Sequence, residues 1–297
     1  MNREIQPGSP AMDNSSRRSL LAAALLVSCF GRVRAEEPAS PLRIGLTPVF
    51  LDDQVAFLNL WRSYLERRLG RRVVFVQRGS YREVVDLLRQ GQLDFAWLCG
   101  YPYVRHRDQM KLLTVPVYLG KPLYRSYLIV PAHDTTTHSL LDLRGKVFAY
   151  SDPDSNSGYL FTQYSLRRLN ETPASFFGKG FFTWAHRKVV DAVAVGLAQG
   201  GAVDGYVWDT LALSHPELTA KTRIAERSPE FGFPPFVARG AVAPAEFTAM
   251  QAVLVRMRDD SEGAALLKRL NLDGFEAGSP ALFDGVAAMY RTVSNAN

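Results

Sequence analysis

The stretch that decides the fold is residues 82–98, REVVDLLRQGQLDFAWL. It opens on a helical pattern of apolar residues, runs into Gly91 and continues as an apolar strand. Ser80 and Glu83, three positions apart, form the capping-box pattern that starts such a helix. A helix followed at once by a buried strand is the repeating unit of parallel α/β folds, so the stretch predicts that class.

Residues 187–208, RKVVDAVAVGLAQGGAVDGYVW, repeat the same order of features. Both stretches have a basic residue near Val-Val-Asp, an amphipathic helix that runs into a glycine, and an Asp (Asp94 or Asp204) at the head of an apolar strand. The match is too loose and too widely spaced for a solenoid repeat. It reflects either chance similarity between units that α/β proteins often contain or two lobes of similar architecture, which we favour.

Two segments fit the connections between such lobes. Residues 124–130 form a long β-rich run, and residues 233–243, FPPFVARGAVA, provide a return. Pro234 and Pro235 place that return at an edge or in a connection, because proline cannot pair within a central strand. Helical patterns follow at residues 245–258, 261–270 and 280–293.

We therefore predict an α/β fold of two lobes, each a mostly parallel sheet flanked by helices, joined by two hinge strands. Lobe 1 is discontinuous and comprises residues 42–127 and 237–297, whereas lobe 2 comprises residues 128–236. Two crossings of this kind act as a hinge, which favours closure of the lobes around a ligand.

Composition restricts the classes of function. The chain has 297 residues, of which 47% are hydrophobic and 22% charged, as in a globular protein. The formal net charge is +6, and half of it lies in residues 1–35. The body has no basic run that would favour nucleic acid as a partner. No apolar run after the N-terminus reaches the ~18 residues expected of a membrane-spanning helix.

Residues 1–35 have the pattern of an export signal. Arg17 and Arg18 precede an apolar run at residues 19–27, and small residues follow it. The paired arginines resemble a twin-arginine signal, although a Sec signal often has the same features. Either route predicts a periplasmic protein.

Two processing sites fit this signal. Residues 33–35, VRA, match a signal-peptidase site, which would release a soluble protein. Residues 26–29, LVSC, match a bacterial lipobox, which would attach a lipid to Cys29. In both cases Cys99 has no partner for a disulfide in the body, and its apolar neighbours predict a buried thiol.

The candidate ligand site lies in residues 149–170, AYSDPDSNSGYLFTQYSLRRLN. Ser155, Asn156, Ser157 and Gly158 stand between a strand-like run and a helical pattern. One interpretation is an N-cap, in which a side-chain oxygen accepts a hydrogen bond from a free helix amide. The other is an anion site, because a helix N-terminus offers free N–H groups and a partial positive charge. A single cap needs one such residue, so the run of three favours ligand contact.

Three residues in neighbouring loops complete the candidate site, since ligands of open α/β sheets lie beyond the carboxyl ends of strands. His186 either donates to an anion or caps the following helix. Asp209 either accepts from a protonated oxyanion or caps its own helix, and Tyr101 either donates or packs. Asp152 and Asp154 are unfavourable beside an anion and must point away or bind a ligand proton or amine.

Motifs of catalysis and metal binding are missing from the sequence. It has no Gly-x-Ser-x-Gly elbow, His-Glu-x-x-His or P-loop, and its histidines lack metal-ligand spacing. We expect no metal, no cofactor and no reaction, with an enzyme on the same two-lobed fold as the alternative. A DNA-binding regulator would need a helix-turn-helix in the place where the export signal lies.

In the order of these motifs the chain resembles the phosphate, phosphite and phosphonate solute-binding proteins of ABC transporters, which have the type II periplasmic-binding fold. The resemblance covers about residues 42–282. It rests on RIGLTPVF, RGSYREVVDLLRQGQLDFAWLCGYPYV, PLYRSYLIV, SDPDSNSGYL, HRKVVDAVAVGLAQGGAVDGYVW and SPEFGFPPFVARG. Its most specific motif is the Ser-x-Ser-Gly turn, followed by a His before a Val-rich helix.

The resemblance implies a site and a function. The turn would hold phosphonyl oxygens through hydroxyls and helix amides, and the other three residues would complete the site: Ser155, Asn156, Ser157, His186, Asp209 and Tyr101. Asn156 stands where family members often have Thr, and the apolar residues 233–236 replace a further acidic contact. The implied protein is a monomer that closes on a small phosphorus oxyanion and presents it to an ABC permease. The alternative partner is a membrane receptor kinase, for which the chain would be a ligand-sensing subunit.

Overall fold

A computed structural model of the chain describes Met1 and residues 40–48 and 55–295. The predicted export signal, with Arg17, Arg18, Cys29 and both processing sites, lies outside the described residues. No described helix combines the length and the hydropathy needed to span a bilayer.

The described residues alternate between strands and helices along most of the chain. The strands are β1 (Leu42–Leu46), β2 (Val73–Gln77), β3 (Phe95–Trp97), β4 (Met110–Val117), β5 (Leu123–Tyr124), β6 (Ser126–Pro131), β7 (Val147–Tyr150), β8 (Lys179–Phe182), β9 (Gly200–Asp204), β10 (Thr222–Arg227), β11 (Phe231–Gly232), β12 (Phe236–Arg239) and β13 (Gly274–Glu276). The helices are α1 (Val55–Leu69), α2 (Tyr81–Arg89), α3 (Gly100–His106), α4 (Phe161–Arg167), α5 (Pro173–Phe176), α6 (His186–Ala194), α7 (Gly205–Ser214), α8 (Pro216–Thr219), α9 (Pro244–Val255), α10 (Ser261–Arg269) and α11 (Asp284–Ser294).

These elements form two larger sheets, one for each lobe. The first has the order β13-β4-β12-β3-β1-β2 and the second has the order β10-β6-β9-β7-β8. The expected parallel pairing holds in one half of each sheet, where β1 pairs with β2 and β3, and β7 pairs with β8 and β9. The remaining pairs are antiparallel, because they involve strands next to the crossings or near the end of the chain.

A third, two-stranded sheet joins the lobes. Strands β5 and β11 pair antiparallel, with Tyr124 opposite Phe231 and Leu123 opposite Gly232. Each continues directly into a strand of the neighbouring lobe, β5 into β6 and β11 into β12. This confirms the two predicted hinge strands. The exact domain boundaries stay a prediction. The strands that follow the two hinge strands begin at Ser126 (β6) and at Phe236 (β12).

The stretch at residues 82–98 folds as its pattern predicts. The Ser80 hydroxyl caps α2, accepting the N–H of Glu83 at 3.3 Å and donating to Glu83 Oε1 at 3.0 Å. The apolar face of α2 is buried against β1, where a Cβ on Gly45 would come within 2.7 Å of Val84. Glycine at that strand position therefore allows the helix to pack closely on the sheet.

The second stretch, at residues 187–208, departs from its predicted register. Asp204 lies at the end of β9 rather than at its head, and its carboxylate accepts the N–H of Val207 at the start of α7. The predicted alternative for Asp209, an N-cap, is also wrong, since α7 already begins at Gly205. Within β9, Gly201 lets the backbone approach α6 closely, since a Cβ there would lie 2.5 Å from Cγ1 of Val189.

Candidate functional site

The turn after β7 is the centre of the candidate site. Ser155 is the N-cap of a single π-helical turn, Asn156–Leu160, which leads into α4. The side chains of Ser155, Asn156 and Ser157 are fully buried. Isolated π turns are rare and occur often at functional sites, because they displace a helix from its regular path.

Glycine is required at the fourth position of the turn. A Cβ on Gly158 would lie 1.9 Å from Ser151 Oγ and 3.1 Å from Cε1 of His186. The backbone of the turn therefore packs against the two side chains at a distance that only glycine permits.

The Ser155 hydroxyl performs one of the two roles that the sequence left open, that of an N-cap. It accepts the N–H of Gly158 at 3.0 Å, which is a regular N-cap. The same oxygen lies 3.4 Å from Nε2 of His186, the residue that opens α6. The cap and the candidate site thus share one atom.

Asn156 connects the turn to the hinge and to the other lobe. Its Nδ2 donates to the Tyr124 hydroxyl at 3.0 Å, and its backbone N–H donates to Sγ of Cys99 at 3.2 Å. The Asn156 Oδ1 and the nearby Ser151 Oγ are buried without a hydrogen-bond partner among the described residues. Buried polar atoms of this kind are unusual in native proteins and are typical of binding sites.

The hydrogen bonds of His186 fix which of its nitrogens carries the proton. Nδ1 accepts the backbone N–H of Asp204 at 3.0 Å, so the proton resides on Nε2, which faces Ser155. Burial lowers the pKa of His186 to about 3. At neutral pH the side chain is therefore an uncharged N–H donor aimed at the turn.

Three buried residues that sequence reasoning did not select also surround the turn. Burial raises the pKa of Tyr81 and Tyr124 well above 10, which keeps both phenols protonated. Burial also raises the pKa of Asp204 to about 7. Tyr81 follows the capping-box serine, Ser80, after the carboxyl end of β2. Since ligands of open α/β sheets lie beyond the carboxyl ends of strands, that rule could have selected Tyr81 as well. Tyr124 lies on a hinge strand, and the location of Asp204 is set by the register of β9. The residues next to them in sequence do not mark either one as a site residue.

Two predicted site residues, Tyr101 and Asp209, make side-chain contacts outside the turn. The Tyr101 ring packs on Tyr290 at 5.5 Å. Asp209 Oδ2 accepts hydrogen bonds from Tyr118 at 2.9 Å and from Tyr127 at 3.0 Å, near the hinge. No hydrogen bond joins Tyr101 or Asp209 to the turn in the part of the chain that the structure describes. The acid next to His186 is instead Asp204.

Asp152 and Asp154 point away from the candidate site, towards the first lobe. Asp152 Oδ2 accepts the backbone N–H of Tyr81 at 3.1 Å. Asp154 Oδ1 accepts from Nη1 of Arg105 at 2.6 Å. The charge of Asp154 is therefore paired with arginines of the opposite lobe, whereas burial raises the pKa of Asp152, which weakens the objection that two carboxylates raise against an anion site.

The arrangement brings several buried neutral donors together at the turn. The donors are hydroxyls, amides and one imidazole N–H, with no lysine or arginine in hydrogen-bonding contact with the described Ser155–Gly158 turn. Burial raises the pKa of Cys99 to about 11, which keeps the thiol protonated and a poor nucleophile. No group of three or more metal-ligating side chains occurs among the described residues. Such a site is suited to holding an oxyanion by hydrogen bonds.

A family model described as "ABC transporter, phosphonate, periplasmic substrate-binding protein" matches residues 44–283. The chain belongs to this family. The match begins in β1 and ends just before α11, so it includes both sheets, the hinge and the turn at Ser155–Gly158.

Relatives with curated names agree with the family. The phosphonates-binding periplasmic protein of Escherichia coli is 27% identical over 256 residues, which cover 82% of this chain and 74% of that protein. The phosphate-import protein PhnD of Mycolicibacterium smegmatis is 28% identical over 158 residues, or 50% of this chain. That alignment spans about half of the relative's length, 48%.

A solved structure shares the fold. It is a binding protein component of an ABC phosphonate transporter from Pseudomonas aeruginosa, with a TM-score of 0.79 and 20% identity. The superposition covers 86% of this chain and 89% of the other. The structural likeness therefore extends across both lobes and supports the two-lobed periplasmic-binding fold.

Proposed function

We propose that the chain is an exported solute-binding protein that closes on a small phosphorus oxyanion and delivers it to an ABC permease, without catalysing a reaction. The observation that carries the proposal is the buried Ser155–Gly158 turn, which faces the Nε2–H of His186 between the two lobes. Hydrogen bonds from neutral donors can compensate an oxyanion in such a site because they are fixed in place before the ligand arrives.

The class of ligand is supported by chemistry and by the family. A tetrahedral oxyanion has enough acceptor oxygens to engage hydroxyls, helix amides and an imidazole N–H together. The names of the relatives refer to phosphonates and to phosphate. We propose phosphonate, phosphite or phosphate as the ligand, held by Ser155, Asn156, Ser157 and His186. Asp209 is no longer part of the proposed set, since it is engaged by two hinge tyrosines.

The cellular setting follows from the family and the N-terminus. Members of this family are periplasmic, so we propose that residues 1–35 direct export, either by the twin-arginine or by the Sec route. Cleavage after Ala35 would release the protein, and processing at Cys29 would anchor it to a membrane. We propose that it acts as a monomer.

Calorimetric titration in phosphate-free buffer tests the proposed function. The panel is phosphate, phosphite and methylphosphonate, with sulfate as the tetrahedral anion that carries no proton at neutral pH. We expect one of the phosphorus oxyanions to bind at least tenfold more tightly than sulfate. It should also raise the melting temperature, since a ligand at a hundred times its dissociation constant stabilises the fold by about 2.7 kcal/mol. Failure of all three to bind would reject the proposed ligand class.

A further inference from the structure

The loop that leads from β7 into the candidate site faces the other lobe. Residues 151–154 come directly before Ser155, and two of them are the buried acids Asp152 and Asp154, which are 1% and 6% exposed. Both accept hydrogen bonds from groups of the first lobe. One turn therefore faces the proposed ligand through its hydroxyls and the opposite lobe through its carboxylates.

Asp152 binds the start of a helix in the first lobe. Its Oδ2 accepts the N–H of Tyr81, the first residue of α2, at 3.1 Å. That N–H has no partner within the helix, and the helix dipole makes the location favourable for a carboxylate. The other oxygen, Oδ1, accepts the N–H of Asp154 at 2.7 Å. Asp152 thus holds its own turn rigid while it caps α2 across the cleft.

Asp154 forms ion pairs with two helices of the same lobe. Its Oδ1 lies 2.6 Å from Nη1 of Arg105 on α3, and its Oδ2 lies 3.6 Å from Nε of Arg82 on α2. The Arg82 side chain is 68% exposed, so its contribution is strongly screened, whereas that of Arg105 is only 30% exposed. The Arg105 pair is therefore the stronger of the two.

We propose that Asp152 and Asp154, with Tyr81 N–H and Arg105, form a clasp that holds the lobes closed without contacting the ligand. The inference rests on the proposed function and makes the two acids positioning residues for the binding turn. Separation of the lobes breaks every contact of the clasp with the first lobe. Apparent affinity is the intrinsic affinity multiplied by the fraction of molecules that are closed. A weaker clasp therefore lowers the apparent affinity even though the contacts to the ligand stay the same.

Cys99 provides a direct measure of closure. Its Sγ accepts the N–H of Asn156 across the cleft at 3.2 Å, and the residue is 3% exposed. In a chain that carries Cys29→Ser, Cys99 is the single thiol. The rate of its alkylation by N-ethylmaleimide then reports how often the lobes open.

The experiment compares Asp154→Asn and Arg105→Gln with Glu171→Gln, all in the Cys29→Ser background. Glu171 is the matched control because its ion pair with Arg144, at 2.8 Å, lies within the second lobe. We expect the first two variants to be alkylated several-fold faster than the parent in phosphate-free buffer. Saturating amounts of whichever of phosphate, phosphite or methylphosphonate binds the parent should slow alkylation in all of them. The dissociation constants of Asp154→Asn and Arg105→Gln should rise by up to about fivefold, the range for one partly screened ion pair.

The double variant Asp154→Asn/Arg105→Gln separates a clasp from general damage. If the two residues act through their mutual contact, the double variant should be alkylated no faster than the more affected single variant. Alkylation rates equal to those of the parent and of Glu171→Gln would overturn the clasp. The alkylation arm needs no ligand, so it tests the clasp even if no phosphorus oxyanion binds. If Asp154→Asn fails to fold, Arg105→Gln removes the same contact from a partly exposed position in the other lobe.

Discussion

At the scale of single residues, His186 combines complete burial with one defined hydrogen-bond direction. Its Nδ1 is occupied by the Asp204 N–H and its Nε2–H faces Ser155. Complete burial disfavours the charged imidazolium, so the pKa of this histidine is lowered from 6.5 to about 3. The same burial that holds the Nε2–H donor against Ser155 also makes stability depend on pH.

We predict that His186 reduces stability as the pH falls from about 6.5 towards 3. In that window the unfolded chain takes up a proton on the histidine and the native state does not, so acid favours unfolding. The loss between pH 6.5 and 4.5 should be about 2–3 kcal/mol. Urea unfolding of His186→Asn, which keeps an acceptor near the Asp204 N–H, should lack this part of the acid slope. The exposed His133→Asn is the control, and parallel curves for His186→Asn and wild type would contradict the prediction.

The serines of the turn should separate into two roles. Ser155 accepts the N–H of Gly158, whereas the Ser157 backbone, through its carbonyl oxygen, accepts from Ser126 at 2.7 Å. Ser155→Ala should therefore lose about 0.5–2 kcal/mol of stability without ligand, and Ser157→Ala much less. Both should bind the ligand roughly ten- to a hundredfold more weakly, as for one lost hydrogen bond to a charged group. Differential scanning calorimetry and titration calorimetry measure the two effects. Ser165→Ala is the control, because the Ser165 hydroxyl donates to the Phe161 carbonyl oxygen within α4 and not to the turn, and unchanged affinity in Ser157→Ala would remove that hydroxyl from the site.

Local chemistry predicted the residues of the turn but not the whole site. Ser155 and His186 have signals in their own neighbourhood, namely the polar run before a helix and a histidine at a helix start. Asp204 and Asp209 are both acids close to one strand end, and only the register of β9 decides between them. That register is set by the pairing of β9 with β6 and β7, which are distant in sequence, so local spacing does not reveal it.

At the scale of elements, the π-helical turn depends on one glycine. The predicted Cβ clash at Gly158 involves Ser151 Oγ at 1.9 Å and Ser151 Cβ at 2.8 Å. The turn cannot move away without displacing Asn156 from Tyr124 or Ser155 from His186. Packing at this position and binding geometry are therefore coupled.

We predict that Gly158→Ala destabilises the protein by about 1–3 kcal/mol, as overpacking in a core does, and abolishes tight ligand binding. Adding Ser151→Gly removes both clashing atoms, so the double variant should regain part of the stability. Gly285→Ala is the control, because a Cβ there meets nothing within 4 Å and the residue lies in a helix. Thermal unfolding of the four proteins tests this, and a double variant no more stable than Gly158→Ala would show that the clash is not the cause.

Helices were predicted better than strands, for a physical reason. The amphipathic pattern of α2, α10 and α11 and the capping box at Ser80 are local features, so the sequence contains them. The antiparallel strands β4, β6, β10 and β12 depend on where the chain crosses between lobes. Because such pairing joins residues distant in sequence, the strand order and half of the pairing directions follow only from the three-dimensional structure.

At the scale of the whole molecule, the described structure is that of a closed cleft. The lobes touch at Asn156 with Cys99, at Asp152 with Tyr81 and at Asp154 with Arg105. The lobes also meet at Tyr206 with Leu270 and at Asn271 with Thr210, and the short hinge strands between them pair by only two residues each. A short hinge and a set of breakable contacts are the requirements for an open and a closed state.

We predict that the radius of gyration decreases when the ligand binds. A compact chain of the size left after removal of residues 1–35 has a radius of gyration of about 18 Å, and an open cleft adds to it. Small-angle X-ray scattering should show the smallest value at saturation with the phosphorus oxyanion that calorimetry identifies. Without ligand, wild type should be intermediate, since the clasp keeps part of the population closed, and Asp154→Asn should be larger. At saturation the two proteins should coincide, because ligand binding supplies the closing free energy that the variant lacks. Equal radii for all four samples would contradict a hinged cleft, and a variant that stays larger at saturation would mean that Asp154 shapes the closed state itself.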